Sequence, residues 1–219
     1  MALAGKGASV YLTGAATSFS TEAASVVSGK TYAIDDTAKE IFDPATAVVV
    51  WDDGSPVDAA DIEDINMLHG QVTFDSGYTV AGSVTFNSGK YLPRTEITTA
   101  KGGSVSVRRG RPDTSTLNTS ARQRTGTTID ASGSLETFDP DLGTAVGGGK
   151  TLLELLDDDQ TFVVEFNPGS GSVLRCRARM AREEMTTGTG EDDVAMGMLE
   201  WEMDAATSQE GYQMGIAWG

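Results

Sequence analysis

The segment 161–203, TFVVEFNPGSGSVLRCRARMAREEMTTGTGEDDVAMGMLEWEM, contains the pattern that decides the fold. From residue 174 to 180, side chains of two kinds alternate. One face would hold Leu174, Cys176, Ala178 and Met180, and the other Arg175, Arg177 and Arg179. A period of two predicts a half-buried β-strand. Segment 161–166 alternates similarly, and the turn residues 167–171 predict a hairpin with a five-residue loop.

The end of this segment predicts a third strand. Val194, Met196 and Met198 occupy even positions, whereas Leu199, Trp201 and Met203 occupy odd ones. This change of phase at 198–199 predicts a β-bulge. We therefore expect an antiparallel meander as the core sheet. Its arginine face would pair with Glu165, Glu200 and Glu202.

Composition favours a single, mainly β domain spanning 1–219. The 219 residues include 26 glycines and only 7% aromatic residues, which suits short strands and frequent turns. The single cysteine, Cys176, excludes an intrachain disulfide and is expected to be a small core residue. With no apolar leader and no membrane-spanning stretch, we expect a soluble protein that is not secreted by the general route.

Other segments predict additional strands and two helical stretches. We expect strands at 8–12, 48–51 and 129–138, a hairpin turning at 76–77, a break at 87–89, and an extended segment 95–107 that is polar on both faces. Residues 20–27 suit two helical turns. Thr151 and Glu154 form a capping box that predicts a short flanking helix on a sheet face or edge.

The long loop 108–128 is basic in an otherwise acidic chain of net charge −16. Its arginines are Arg108, Arg109, Arg111, Arg122 and Arg124. Only Asp113 opposes them. The segment suits nucleic-acid contact, contact with an acidic face of another subunit, or disorder; the subunit contact is favoured because no aromatic residues are interleaved for base stacking.

The tail 205–219 ends in a second alternating pattern. Its large residues are Tyr212, Met214, Ile216 and Trp218. Such a segment beyond the last core strand is suited to adding itself to the sheet edge of a neighbouring subunit.

The motifs of enzymes and cofactor sites are not supported. His69 is the only histidine and is expected to be half-exposed in a strand. The sequence contains no Gly-x-Ser-x-Gly motif that would supply a serine nucleophile for it. One histidine and one cysteine do not make a usual zinc site. The glycines at 147–149 before Lys150 lack the spacing of a phosphate-binding loop and suit a helix cap. We expect no catalytic, cofactor or metal residues and no enzymatic activity.

Several short segments resemble the phage tail tube (major tail protein) family of the siphovirus, long-flexible-tail type. They are AGKGASV at 4–10, FDP at 42–44, VVVW at 48–51, DG at 53–54, 62–74, GY at 77–78, Val80 and GKYLP at 89–93. The resemblance covers the first half well and the second half only by strand order and the helix.

This resemblance implies a β-sandwich with a flanking helix that forms hexameric rings stacked into a tube. It implies an acidic lumen through which viral DNA passes without sequence-specific binding. The partners would be tail terminator, tape-measure and baseplate or initiator proteins, and the protein would be a virion component assembled in the host cytoplasm. The arginine face of 174–180 would be unwelcome in such a lumen, so it would lie on the outer sheet or between sheets. Segment 108–128 would be the ring-to-ring loop. The alternative is a capsid-decorating or adhesin-like β-sandwich, which exposed aromatic residues on loops would favour.

Overall fold

The computed structural model describes residues 8–96, 100–109, 129–138, 161–166, 173–186, 196–207 and 213–218. These residues form antiparallel β-sheets with two short 3₁₀ turns at Thr37–Lys39 and Ala59–Asp61. The predicted mainly β, sandwich- or barrel-like class is confirmed. The predicted helix at 151–156 lies outside the described residues.

Two sheets contain most of the strands, which are numbered in chain order. The first sheet comprises β1 (Ala8–Thr13), β9 (Arg94–Glu96), β10 (Ala100–Arg109), β11 (Ile129–Phe138), β12 (Thr161–Phe166), β13 (Leu174–Thr186), β14 (Met196–Met203) and β17 (Ile216–Trp218). The second comprises β2 (Thr17–Ser28), β3 (Thr31–Ile34), β4 (Val49–Asp52), β5 (Ser55–Pro56), β6 (Ile62–Asn66), β7 (Gln71–Phe74) and β8 (Val84–Tyr91). A small ribbon pairs β15 (Ala206–Thr207) with β16 (Gln213–Met214).

The first sheet curls into a half-barrel. Its strand order is β10-β11-β14-β13-β12-β1-β9, with β17 added to β13. Strands β9 and β10 are at opposite ends of this order, yet only residues 97–99 separate them in the chain. A connection of that length spans at most about 14 Å, so the two ends of the sheet must approach each other. Consistent with this, Cα atoms of β1 and β10 come within 8 Å.

The concave side of the curl holds one apolar core. Its buried residues are Val105, Ala131, Phe162, Val164, Phe166, Leu174, Cys176, Ala178 and Trp201. The Phe166 and Trp201 rings, two strands apart, lie 6.2 Å from each other between centroids. The predicted core position of Cys176 is confirmed. The second sheet surrounds a separate core to which the first sheet contributes Val163 from its opposite face.

The predicted three-stranded meander is confirmed, but its bulge lies elsewhere. Strand β13 pairs antiparallel with both β12 and β14. No register shift occurs within β14; the extra residue is Ala181 in β13, between Met180 opposite Trp201 and Arg182 opposite Glu200. The predicted bulge at 198–199 is therefore wrong. Met198 simply lies on the same face as Glu200, where it is half-buried.

The helical prediction for 20–27 is also wrong, because this segment is the centre of β2. It pairs with β8 on one side and β3 on the other. Two helical turns have little stability of their own in water, and the Ser, Thr and Val content of the segment suits a strand. Pairing with two neighbouring strands therefore determines its conformation.

The hairpin predicted around 76–77 joins strands that do not pair. A turn exists there, with the Gly77 amide donating to Asp75 Oδ1 at 2.7 Å. However, β7 pairs with β3 and β6, whereas β8 pairs with β2 and β4. The expected break at 87–89 is instead part of β8. The glycine at position 89 allows close packing, since an added Cβ would be 2.6 Å from the Phe19 ring.

The expected strand 129–138 is confirmed as β11, and 95–107 contains β9 and most of β10. The prediction that 95–107 is polar on both faces is wrong. Ser104 and Ser106 are exposed, but Val105 points into the concave core and is 2% exposed.

Candidate assembly surface

The outer, convex face of the first sheet carries its polar side chains, and it divides into two parts. Its described residues on β12, β13 and β14 are Thr161, Val163, Glu165, Arg175, Arg177, Arg179, Met198, Glu200 and Glu202. On β10 and β11 they are Ser104, Ser106, Arg108, Asp130, Ser132 and Ser134. The second sheet packs on the part around β12 and the start of β13, here called the covered half. The part formed by β10, β11 and β14 is called the uncovered half.

Arg175 joins the two sheets within the covered half. Its guanidinium donates to Glu40 Oε1 at 2.6 Å, to Glu165 Oε2 at 2.8 Å and to the Leu68 carbonyl at 2.9 Å. Only 5% of the residue is exposed. Burial alone would lower the pKa of Arg175, but Glu40 and Glu165 outweigh it and raise the pKa. The side chain is therefore a structural cation.

Arg94 completes this cluster from β9. It contacts the same two carboxylates, Glu40 at 2.7 Å and Glu165 at 3.4 Å. Its guanidinium carbon also lies 4.9 Å from the centre of the Tyr11 ring. Two cations thus alternate with two anions, and every charge faces an opposite one.

Arg177 and Arg179 of β13 share one carboxylate. Asp204 lies 2.7 Å from Arg177 Nη1 and 3.0 Å from Arg179 Nε. The predicted partner Glu165 is confirmed, and Glu202 lies opposite Arg179 in the strand register. Placement of the arginine ladder between the sheets is confirmed for Arg175.

Sequence reasoning missed Glu40 and Asp204 as partners. Glu40 lies far from β13 in the sequence, so no local spacing indicates it. Asp204 continues the spacing of Glu200 and Glu202 by two residues and lies next to Arg177, so that spacing could have indicated it.

His69 comes from the second sheet and lies near Arg175 of the covered half. The prediction that it is a half-exposed strand residue is wrong. It lies in the turn between β6 and β7 and is 6% exposed. Its Nε2 is 3.3 Å from the Ala217 carbonyl oxygen of β17. Burial, together with the positive charge of Arg175, lowers the pKa of His69 to about 4. The neutral ring therefore links the second sheet to the C-terminal strand.

Apart from the half-buried Met198 of β14, the described side chains of the uncovered half are small or charged polar groups in register. Ser104 and Ser134 are paired by their hydroxyls at 2.9 Å. Ser106 faces Ser132, and Arg108 faces Asp130. On the reverse side, an added Cβ at Gly133 would lie 2.0 Å from the Ser104 carbonyl oxygen and 2.5 Å from the Trp201 ring. Close contact with Trp201 thus attaches the β10–β11 hairpin to the core.

The predicted basic loop begins at the end of this hairpin. Arg108 is exposed opposite Asp130, and Arg109 is the last residue of β10, opposite Ile129. Arg111, Arg122 and Arg124 lie outside the described residues. The predicted loop 108–128 is therefore wrong at its start, because Arg108 and Arg109 belong to β10. Of these two, the register places only Arg108 on the face of the uncovered half. The contact role of the five stays a prediction.

The predicted inter-subunit tail pairs with its own chain in this structure. Met214 in β16 is opposite Ala206, while Ile216 and Trp218 in β17 are opposite Cys176 and Leu174. Tyr212 lies outside the described residues. Strand β17 continues along the edge of β13 that β14 occupies further on. Addition of this tail to a neighbouring subunit stays a prediction.

Among the described residues, no group of three or more His, Cys, Asp or Glu side chains is arranged to hold a metal ion. No helix in the described part of the chain has the length and hydropathy needed to span a bilayer.

Comparison with known proteins gives only distant likenesses. No protein-family model and no curated protein matches the sequence. A chain of the cryo-EM structure of the anti-feeding prophage (AFP) baseplate is 12% identical with a TM-score of 0.33, covering 57% of this chain and 83% of that one. A type six secretion system protein is 10% identical with a TM-score of 0.28, covering 79% and 92%. Because both TM-scores are below 0.5, neither likeness carries an argument about this chain.

Proposed function

We propose that this protein is a structural, non-enzymatic subunit of a siphovirus-type tail tube, which assembles into stacked hexameric rings around viral DNA. The observation that carries the proposal is the uncovered half of the first sheet. It is an in-register polar surface on a curled sheet, and it leads directly into the basic segment. The resemblance of residues 4–93 to tail tube proteins is consistent with this role.

Charge distribution supports repeated head-to-tail contact. Five arginines against one aspartate give segment 108–128 a net charge of +4, so the rest of the chain carries −20. A basic segment on a strongly acidic body attracts another copy of the same body. Because the two contacting surfaces differ, the contact can repeat without closing and build a filament.

The uncovered half is suited to lining a water-filled bore. Its serines are small, and Ser104 and Ser134 bond to each other, which leaves a smooth surface. Glu202 and Asp130 are exposed on the same face. Because Arg108 faces Asp130, repulsion of DNA phosphates would come from Glu202 and from the chain's net charge of −16. Tail terminator, tape-measure and initiator proteins would be the partners, and the virion tail would be the location.

Negative-stain electron microscopy of the concentrated protein at moderate and high salt tests this proposal. We expect stacked rings or tubes with a central hole. Arg108→Glu with Arg122→Glu should shorten or abolish them, whereas Arg108→Lys with Arg122→Lys, which keeps the charge, should leave them intact. Single particles under every condition, even with tail initiator present, would overturn the proposal.

No specific observation favours the capsid-decorating or adhesin-like alternative. Among the described side chains, the exposed large apolar residues are valines: Val26, Val27, Val49 and Val107. Aromatic platforms of the kind that bind sugars are not among them.

A further inference from the structure

The β2–β3 hairpin ends in a tip, residues 25–31, that exposes two adjacent apolar side chains. Val26 is 59% exposed and Val27 is 54% exposed. Val26 is opposite Tyr32, but the register shifts between Val26 and Ser28, so Val27 is an extra residue there. Gly29 has a φ of +53°, a conformation that glycine adopts without strain. The tip thus places both valines at the end of a 12-residue strand.

Contacts with the neighbouring loop hold the tip in position. The Lys30 ammonium donates to the carbonyl oxygens of Tyr78, Ser76 and Asp75 at 2.5, 2.6 and 3.1 Å. The Phe74 amide donates to the Lys30 carbonyl at 3.2 Å, and the Thr31 and Thr73 hydroxyls are 2.9 Å apart. Because the tip is held in one conformation before binding, it loses less conformational entropy when it docks.

The tip also lacks the acidic residues that give the rest of the protein its negative charge. Residues 23–34 contain one charged side chain, Lys30, in a chain of net charge −16. The ammonium is bound to neutral carbonyls, so its positive charge is not cancelled within the tip. Two copies of a strongly acidic protein repel each other. A projecting apolar tip that carries no negative charge can approach the second copy without this repulsion.

We infer that the β2–β3 tip is a docking element for a second copy of this chain, with Val26 and Val27 as its apolar contact. The inference rests on the proposed tube function for its setting, but it concerns a surface separate from segment 108–128. The tip's single charge is positive and the chain as a whole is acidic, so charge complementarity favours another copy as the occupant.

Sedimentation velocity over a concentration series, combined with electron microscopy, tests the inference. The variants are Val26→Asp with Val27→Asp, and the matched control is Val49→Asp, which changes a valine that is 36% exposed on β4. We expect the tip variant to weaken self-association at least tenfold and the control to behave like the wild type. Thermal unfolding midpoints check that all three proteins fold.

The outcomes separate this inference from the proposed function. Tubes formed by the wild type and the tip variant alike would overturn the docking role while leaving the tube proposal. Small wild-type oligomers that the tip variant cannot form, without tubes, would support the docking role and count against the tube. A wild-type protein that stays monomeric at every concentration would overturn both.

A cross-linking measurement avoids any effect of aspartate on folding. Cys176 is buried, and burial raises the pKa of its thiol to about 12, so Val27→Cys supplies a single reactive thiol. A maleimide-to-amine cross-linker should join two copies through this position at concentrations where the wild type self-associates. The same reaction on Val49→Cys is the control, and equal yields from the two positions would contradict the docking role.

Discussion

The two halves of one sheet face use polar residues in opposite ways. In the covered half, Arg175 and Arg94 are shared between Glu40 and Glu165, and each charge is neutralised within the chain. In the uncovered half, serines bond to each other or face water, and Arg108 and Glu202 are exposed. Polar residues of the covered half therefore determine how the two sheets dock. Those of the uncovered half are available for contacts outside the chain.

The variant with the largest expected effect on this contrast removes Arg175, the cation that Glu40 and Glu165 share. Arg175→Ala removes a buried cation and leaves two partly buried carboxylates with Arg94 as their remaining cation, so we expect the free energy of unfolding to fall by about 3–5 kcal/mol. Arg108→Ala, on the same face but exposed, should change it by less than about 0.5 kcal/mol. Urea unfolding measures both. Equal effects would show that the covered half is no more structural than the uncovered one.

Acid should act selectively on the covered half through His69. Its pKa is lowered from 6.5 to about 4, so between these values the unfolded chain binds a proton that the folded chain does not. This contribution to stability is complete above pH 6.5 and is lost as the pH falls to about 4. The loss amounts to about 3 kcal/mol at 1.36 kcal/mol per unit.

The control for this pH dependence is His69→Gln, whose amide can donate to Ala217 but does not titrate. Unfolding free energies of both proteins at pH 7, 5.5 and 4 give the comparison. We expect the difference between wild type and variant to change in favour of the variant as the pH falls. A constant difference would contradict the burial of a neutral ring.

Attachment of the uncovered half to the core depends on Gly133. Gly133→Ala would place a methyl group against the Ser104 carbonyl and the Trp201 ring, so strand or ring must move. Overpacking of this kind costs about 1–3 kcal/mol. Gly14→Ala, whose added Cβ would lie 3.6 Å or more from its neighbours, is the matched control. Trp fluorescence and thermal unfolding report the change, and equal stability of the two variants would contradict the tight contact.

The sequence predicted the strands with strong alternation, and it predicted their pairing correctly for the consecutive strands β12, β13 and β14 but not elsewhere. Alternation in 161–166 and 174–180 predicts which residues share a face, and the structure has the same residues on each face. The helix prediction for 20–27 failed because its pattern was short and the strands on either side, β3 and β8, come later in the chain. The same limit applies to β7 and β8, which follow each other in sequence but pair with other strands.

The candidate surface was only partly predictable for a related reason. Arginines of β13 were recognised from their spacing, and Glu165 was found because it lies in the paired strand. The contact of Glu40 and the buried position of His69 depend on how the second sheet and β17 dock, which no periodicity encodes. Asp204 continues the spacing of Glu200 and Glu202 and could have been found from it. The basic segment was visible as composition alone.

The smallest expected effect compares two neighbouring residues of β10 on opposite faces. Ser104→Ala removes an exposed hydroxyl that bonds Ser134 at 2.9 Å, and water can replace that bond, so the free energy of unfolding should change by no more than about 0.5 kcal/mol. Val105→Ala, one residue further on but 2% exposed, should cost about 1–3 kcal/mol. Chemical unfolding of both variants measures the difference. If Ser104→Ala proved the more costly, the outer side of β10 would contribute to the stability of the chain itself, and the uncovered half could not be regarded as a surface free for assembly.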